Sequence, residues 1–109
     1  MAKSRLHELS ERGQSVWLDD LSRGLLVSGD LQRAIADDAV VGVTSNPTIF
    51  QKGLAAGDAY DDDMARLFGG DRSEREVYLA LSGEDVRRAC VLLRPLWDQS
   101  AGLDGWVSW

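Results

Sequence analysis

Two apolar runs in this chain end abruptly in small polar residues, and the rest of the pattern is arranged around them. Val40-Val41-Gly42-Val43 passes into Thr44-Ser45-Asn46-Pro47, and Ser15-Val16-Trp17-Leu18 ends in Asp19-Asp20. The run from Val40 is β-branched without apolar and polar alternation, which predicts a parallel strand covered on both faces. A first strand is predicted from about Ser15 to Asp19. Around them the apolar spacing is helical. Leu6 and Leu9 among charges, followed by Gly13, predict a short opening helix closed by a glycine C-cap. Ser28-Gly29-Asp30 can cap a helix with Leu31, Ala34 and Ile35 on one face, and Pro47 suits the first position of a helix whose N-cap is Asn46 or Ser45. Past breaks at Gly53 and Gly57, Tyr60, Met64, Leu67 and Phe68 recur at helical spacing until Gly69-Gly70.

Ser73 with Glu76 has the spacing of a capping box, here for a short helix carrying Val77, Leu79 and Leu81. Ser82 begins another, with an apolar stripe of Val86, Ala89, Cys90 and Leu93 and with Pro95 bending its last turns. Ala101 to Gly105 is a loop, and Gly105-Trp106-Val107-Ser108-Trp109 begins a third strand. Strand, helix, strand, helices, strand is an α/β order, and no internal repeat of about 20 to 50 residues is visible. Three parallel strands cannot close a barrel. One sheet face and both edges stay uncovered, and such edges invite pairing with other chains.

Composition narrows the classes. The chain has 109 residues, enough for one small domain, and 44% apolar residues including four tryptophans, which is a globular composition. Its 18 acids against 12 bases give a formal charge of −6. That opposes attraction to nucleic-acid phosphates and to an anionic membrane surface, so neither is an expected partner. Charges appear within Met1 to Glu8 before any apolar stretch, so no secretory signal is visible. The longest uncharged run, Ala39 to Gln51, falls short of the roughly 20 apolar residues of a membrane span. A cytoplasmic protein is expected. Cys90 has no partner for an internal disulfide and reads as a small core residue.

A carboxylate at the end of a parallel strand enters the crevice where α/β sheets and barrels bind ligands. Asp19 is such a group, partly desolvated by Trp17 and Leu18 and able to shuttle a proton; equally, Asp19 or Asp20 can merely cap the next turn. Thr44 and Asn46, two apart, project to one side if the strand persists. The Asn46 amide then suits recognition of a substrate hydroxyl or carbonyl, with helix capping as its alternative. Lysine nucleophiles are scarce: Lys3 lies near the terminus, and Lys52 stands where nothing would desolvate it. His7 belongs to a helix surface, Asp58, Asp61, Asp62 and Asp63 to a solvated helix start, and Arg87, Arg88 and Arg94 to a polar helix side.

Val16-Trp17-Leu18-Asp19-Asp20-Leu21-Ser22-Arg23, the stretch Gly42-Val43-Thr44-Ser45-Asn46-Pro47-Thr48-Ile49-Phe50-Gln51-Lys52 and Gly57-Asp58-Ala59-Tyr60-Asp61 carry a resemblance. With Leu92-Leu93-Arg94-Pro95, and Asp104-Gly105 before Val107-Ser108, the chain resembles, in order and spacing, the N-terminal part of the transaldolase family in its actinobacterial form. The resemblance covers nearly the whole chain. It implies a (β/α)₈ TIM barrel of roughly 250 residues or more, of which residues 1–109 form a single incomplete segment of about three strands, ending within the third, as a truncated product or an incomplete sequence.

It further implies transfer of a dihydroxyacetone unit from sedoheptulose 7-phosphate to glyceraldehyde 3-phosphate in the pentose phosphate pathway. That reaction uses a lysine Schiff base and needs no metal or organic cofactor. By position, Asp19 matches the acid and base beside the Schiff-base carbon, Asn46 the asparagine bonding the dihydroxyacetone portion, and Thr44 a residue lining the same pocket. The family's Schiff-base lysine and phosphate-binding arginines lie further along. So does a glutamate one place past the apolar position that Trp109 takes here. The resemblance therefore implies that the 109 residues alone are inactive. The alternatives are a related Schiff-base aldolase and a non-catalytic module that self-associates or binds a partner through its open edges.

Overall fold

The run from Val40 becomes the middle strand of a three-stranded parallel sheet, in the order β1 (Val16–Leu18), β2 (Val40–Thr44), β3 (Trp106–Ser108). The computed structural model describes residues 4–19, 21–55 and 58–109. Lys3, Asp20 and Gly57, and the side chains of Ile49 and Phe50, lie outside what it describes. Leu18, Val43 and Val107 stand side by side in register on one face and pack on the helices with Leu21, Leu31, Ala89 and Leu93. Trp17, Gly42 and Trp106 form the neighbouring row, which by strand alternation points to the other face. That face is uncovered: Trp17 and Trp106 are both exposed. Only glycine fits between them, because a Cβ on Gly42 would come within 2.2 Å of the Trp17 indole. Between Val16 and Trp17 the register slips by one residue on β2.

The helices form where their caps and stripes dictate. α1 (Arg5–Glu11) ends in a Schellman turn in which Gly13, at φ +89°, lets Gln14 N–H reach the Leu9 carbonyl at 3.0 Å. His7 is used at the other end, where its Nδ1 accepts from Ser4 N–H at 3.0 Å. α3 (Asp30–Asp37) buries Leu31, and α4 (Pro47–Ala55) starts at the proline. α5 (Asp61–Phe68) opens with its three aspartates near the positive end of the helix dipole and stops at Gly69.

Three expectations need correction. A helix, α2 (Arg23–Val27), lies between β1 and α3 where none was predicted; at five residues it is too short for a periodic pattern, and it is started by Ser22 Oγ accepting from Leu25 N–H at 3.2 Å. The two helices predicted after Ser73 are one, α6 (Glu74–Gln99), which runs through Gly83 and Pro95. Its stripe of Val77, Leu81, Asp85, Ala89 and Leu93, spaced by four throughout, buries enough to offset the roughly 1 kcal/mol cost of a mid-helix glycine. Finally, Cys90 is exposed rather than a core residue, because the buried stripe passes through Ala89 and Leu93 and turns the next position outward.

Candidate active site

Asp19 and Thr44 meet at the carboxyl ends of adjacent parallel strands. Thr44 Oγ1 donates a hydrogen bond to a carboxylate oxygen of the exposed Asp19, and in register Thr44 faces Ser108 on β3. Asp19 is two residues beyond Trp17, so this group sits on the uncovered face of the sheet. Ser45 N–H then donates to the Ser108 carbonyl at 2.9 Å, which ties the exit of β2 to β3.

Strand geometry stops at Thr44. Asn46 leaves the strand as the cap of α4, its Oδ1 accepting from Thr48 N–H at 2.9 Å. Capping takes only the oxygen, and the amide nitrogen has no partner among the described residues. Ser45 and Asn46 both border a cavity of about 200 Å³ together with Pro47, Tyr78, Ser82 and Trp109. Asn46 thus keeps two donors next to a cavity, while Asp19 keeps acceptor capacity beside the Thr44 hydroxyl. No hydrogen bond joins Asn46 to Asp19 or Thr44 among the described residues.

The other candidates are not drawn in. Lys52 is exposed in the last turn of α4. Arg87 and Arg88 share the Glu84 carboxylate, and Arg94 pairs with Asp98, all at the surface. Cys90 borders a separate cavity of about 370 Å³ with Arg94, Trp97 and Trp106. Among the described residues, no group of three or more His, Cys, Asp or Glu is placed to hold a metal. No helix among them is long and apolar enough to cross a membrane.

Sequence reasoning missed a buried polar cluster behind the site. Arg23, 4% exposed, donates through Nε to Asp85 Oδ1 at 2.9 Å and through Nη1 to Asp63, and its guanidinium carbon lies 4.6 Å from the centre of the Tyr60 ring. Tyr60 Oη donates to the other Asp85 oxygen and accepts from Arg23 N–H at 2.8 Å. One signal could have found it: Asp85 interrupts the four-residue recurrence of apolar positions on α6.

The cluster and the Glu84 pairs on the surface of α6 together give stability a pH dependence. Burial pushes the Tyr60 phenol above its ordinary range, and the Asp85 carboxylate adds to the shift. The Arg23 hydrogen bond holds Asp63 low, and that of Arg87, with Arg88 behind it, takes Glu84 down to about 2. Stability conferred by the two acids is present above roughly pH 4.5 and lost as pH falls; that tied to the neutral phenol is present below about pH 10 and lost as pH rises. Urea midpoints are expected to fall on both sides of that window, and Tyr60→Phe to flatten the alkaline limb alone. An alkaline limb unchanged in Tyr60→Phe would assign it elsewhere.

Comparison with known proteins adds a second line of observation. Residues 16–109 match the family model described as Transaldolase/Fructose-6-phosphate aldolase. The chain is 52% identical over 101 residues to the transaldolase of Thiobacillus denitrificans, covering 93% of this chain and 28% of that protein. It is 48% identical over 106 residues to the transaldolase of Mycobacterium ulcerans, at 97% and 28%, and 46% identical over 101 residues to that of Kocuria rhizophila, at 93% and 27%. The chain therefore spans a little over a quarter of the length of these curated relatives.

Proposed function

The chain belongs to the transaldolase/fructose-6-phosphate aldolase family, and on that premise we propose that it supplies the opening β/α units of a (β/α)₈ barrel whose reaction is dihydroxyacetone transfer between sugar phosphates. Residues 1–109 form one incomplete barrel segment on this reading, and the setting is cytoplasmic. The donor is sedoheptulose 7-phosphate and the acceptor glyceraldehyde 3-phosphate. The observation that carries the reading is the pairing of the Asp19 carboxylate with the Thr44 hydroxyl at the carboxyl ends of β1 and β2, the end at which barrels of this kind place their chemistry.

Asp19 takes a proton from, and returns it to, a substrate hydroxyl beside the reacting carbonyl. Thr44 orients that carboxylate by occupying one of its oxygens. Asn46, its oxygen engaged by Thr48 N–H, donates its amide hydrogens to a hydroxyl or carbonyl of the three-carbon unit. The nucleophilic lysine of the Schiff base is outside these 109 residues on this reading: Lys52 is exposed in the last turn of α4, and Lys3 is near the start of the chain.

A chimera tests the proposal. Residues 1–109 would replace the matching 28% of the Thiobacillus denitrificans transaldolase, with sugar-phosphate transfer as the assay. The chimera is expected to be active. Asp19→Ala should lower kcat by about 10²-fold or more, within the usual range for a general acid or base. A folded chimera in which Asp19→Ala stays as active as its parent would end the proposal. The second reading, self-association or partner binding through the open edges, is favoured by β1 and β3, each of which pairs with β2 alone among the described residues.

A further inference from the structure

We infer that Tyr60 and Asp85 are positioning residues: by fixing Arg23 at the start of α2, four residues after Asp19, they set the orientation in which Asp19 meets Thr44. The inference rests on the catalytic reading of Asp19 for its significance, though not for its geometry. Asp19 is exposed, and among the described residues only the Thr44 hydroxyl bonds its side chain. On its other side the sequence reaches α2 within four residues. A five-residue helix cannot hold its own direction, since nucleation is unfavourable and few intrahelical bonds follow it. Its direction comes from outside.

Leu21 is buried against the core, and Ser22 closes the first turn of α2. Arg23 is the first residue of that helix, so its N–H is one of those no intrahelical carbonyl can satisfy. Tyr60 Oη satisfies it at 2.8 Å from 37 residues away. The Arg23 side chain is fixed by Asp85, 62 residues away on α6, and by Asp63 on α5. Tyr60 in turn packs with Leu67, Val77 and Leu81, and its hydroxyl donates to Asp85. Three side chains, from α5 with its N-cap and from α6, thus converge on the first residue of α2. An apolar side chain at position 23 would bury equally well but leave the rotation of the helix free. Directional pairs set it, which is the best-attested use of buried charge.

The test uses the 109-residue chain and NMR, with the Asp19 carboxyl carbon and the Thr44 amide and methyl resonances as readouts. Tyr60→Phe and Asp85→Asn keep side-chain shape and remove one pin each. Both are expected to shift the Asp19 and Thr44 signals together. Leu67→Ala, which loosens the same cluster without touching a polar link, is expected to leave them in place. Unchanged signals in the first two variants, or equal shifts in Leu67→Ala, would overturn the inference. Should a variant not fold, native-state hydrogen exchange in the parent reads the same link. Arg23 N–H is expected to open together with the α6 amides around Asp85, and exchange at the rate of the remaining α2 amides would count against it. Failure of Asp19 as the proton carrier appears in the activity of the chimera and leaves these resonances unaffected, so the two outcomes are separable.

Discussion

Gly105→Ala is expected to cost roughly 3 kcal/mol of folding stability, a large part of the total of about 5–15 available to a small domain. Two independent terms lead there. Gly105 sits at φ +89°, where a side chain costs about 1–2 kcal/mol. A Cβ would also lie 2.6 Å from the Trp97 backbone nitrogen, 2.8 Å from its Cβ and 2.9 Å from the Leu93 carbonyl oxygen. Those are atoms of the α6 backbone and its root, not flexible side-chain ends. Relief requires moving β3 away from the helix, and overpacking of this sort costs about 1–3 kcal/mol. The movement would also strain the 2.7 Å bond from Gly105 N–H to the Val41 carbonyl and, at the other end of the same β2–β3 pair, the bond from Ser45 N–H to Ser108. The site would feel the change through Ser45. Urea unfolding followed by circular dichroism measures the loss, and Gly69→Ala is the comparison. At Gly69 φ is −74° and an added Cβ finds ordinary contacts of 3.5 Å and beyond, so its effect should stay within about 0.5 kcal/mol. Equal losses at the two glycines would show that neither the backbone region nor the close approach matters as described.

What the sequence disclosed and what it withheld divide along a physical line. Val40 to Thr44 was legible because a β-branched run without apolar and polar alternation admits few other readings, although the second face that pattern predicted to be covered is the open one, and the exit into Asn46-Pro47 because proline and an N-cap residue act locally. Asp19 and Thr44 were found as separate candidates at two strand ends; that they touch depends on the pairing of β1 with β2, which no local signal encodes. The alternatives at Asn46 turned out to be compatible, since capping engages one atom of the amide and leaves the other. α2 and the unbroken course of α6 were missed for opposite reasons. The first is too short to show a period and is held by distant partners, whereas in the second a four-residue stripe carries the helix through Ser82, which locally reads as a start, and on through a glycine and a proline. Cys90 was misplaced for the same cause, a phase error of one residue on that stripe. Arg23 reads as a surface cation in any window. Only the fold shows that it, Tyr60 and Asp85 are buried together.

Asp85→Ala is the second large effect, expected at about 3–5 kcal/mol, the usual cost of removing one partner of a buried ion pair. Asp85 is 1% exposed, and its two oxygens serve Arg23 Nε and Tyr60 Oη. Removing it leaves the Arg23 guanidinium with the half-exposed Asp63 as its remaining carboxylate, although Nη2 is already buried with no partner among the described residues. The cation cannot escape by losing its proton, because an arginine stays charged at any pH the fold survives. The cost therefore falls on an uncompensated charge rather than on a lost contact. Asp85→Asn keeps an acceptor for Arg23 and should lose less. If the charge is the cause, removing it as well restores stability: Arg23→Met combined with Asp85→Leu buries comparable volume, leaves Asp63 free to hydrate, and is expected to recover most of the loss, as buried pairs replaced by apolar groups commonly do. The coupling between the two positions, read from urea midpoints of the parent, both singles and the double, should be on the order of 2–3 kcal/mol. Additive losses would instead mean that each side chain contributes by packing alone, and the positioning role inferred for Asp85 would then have to rest on the Tyr60 hydroxyl.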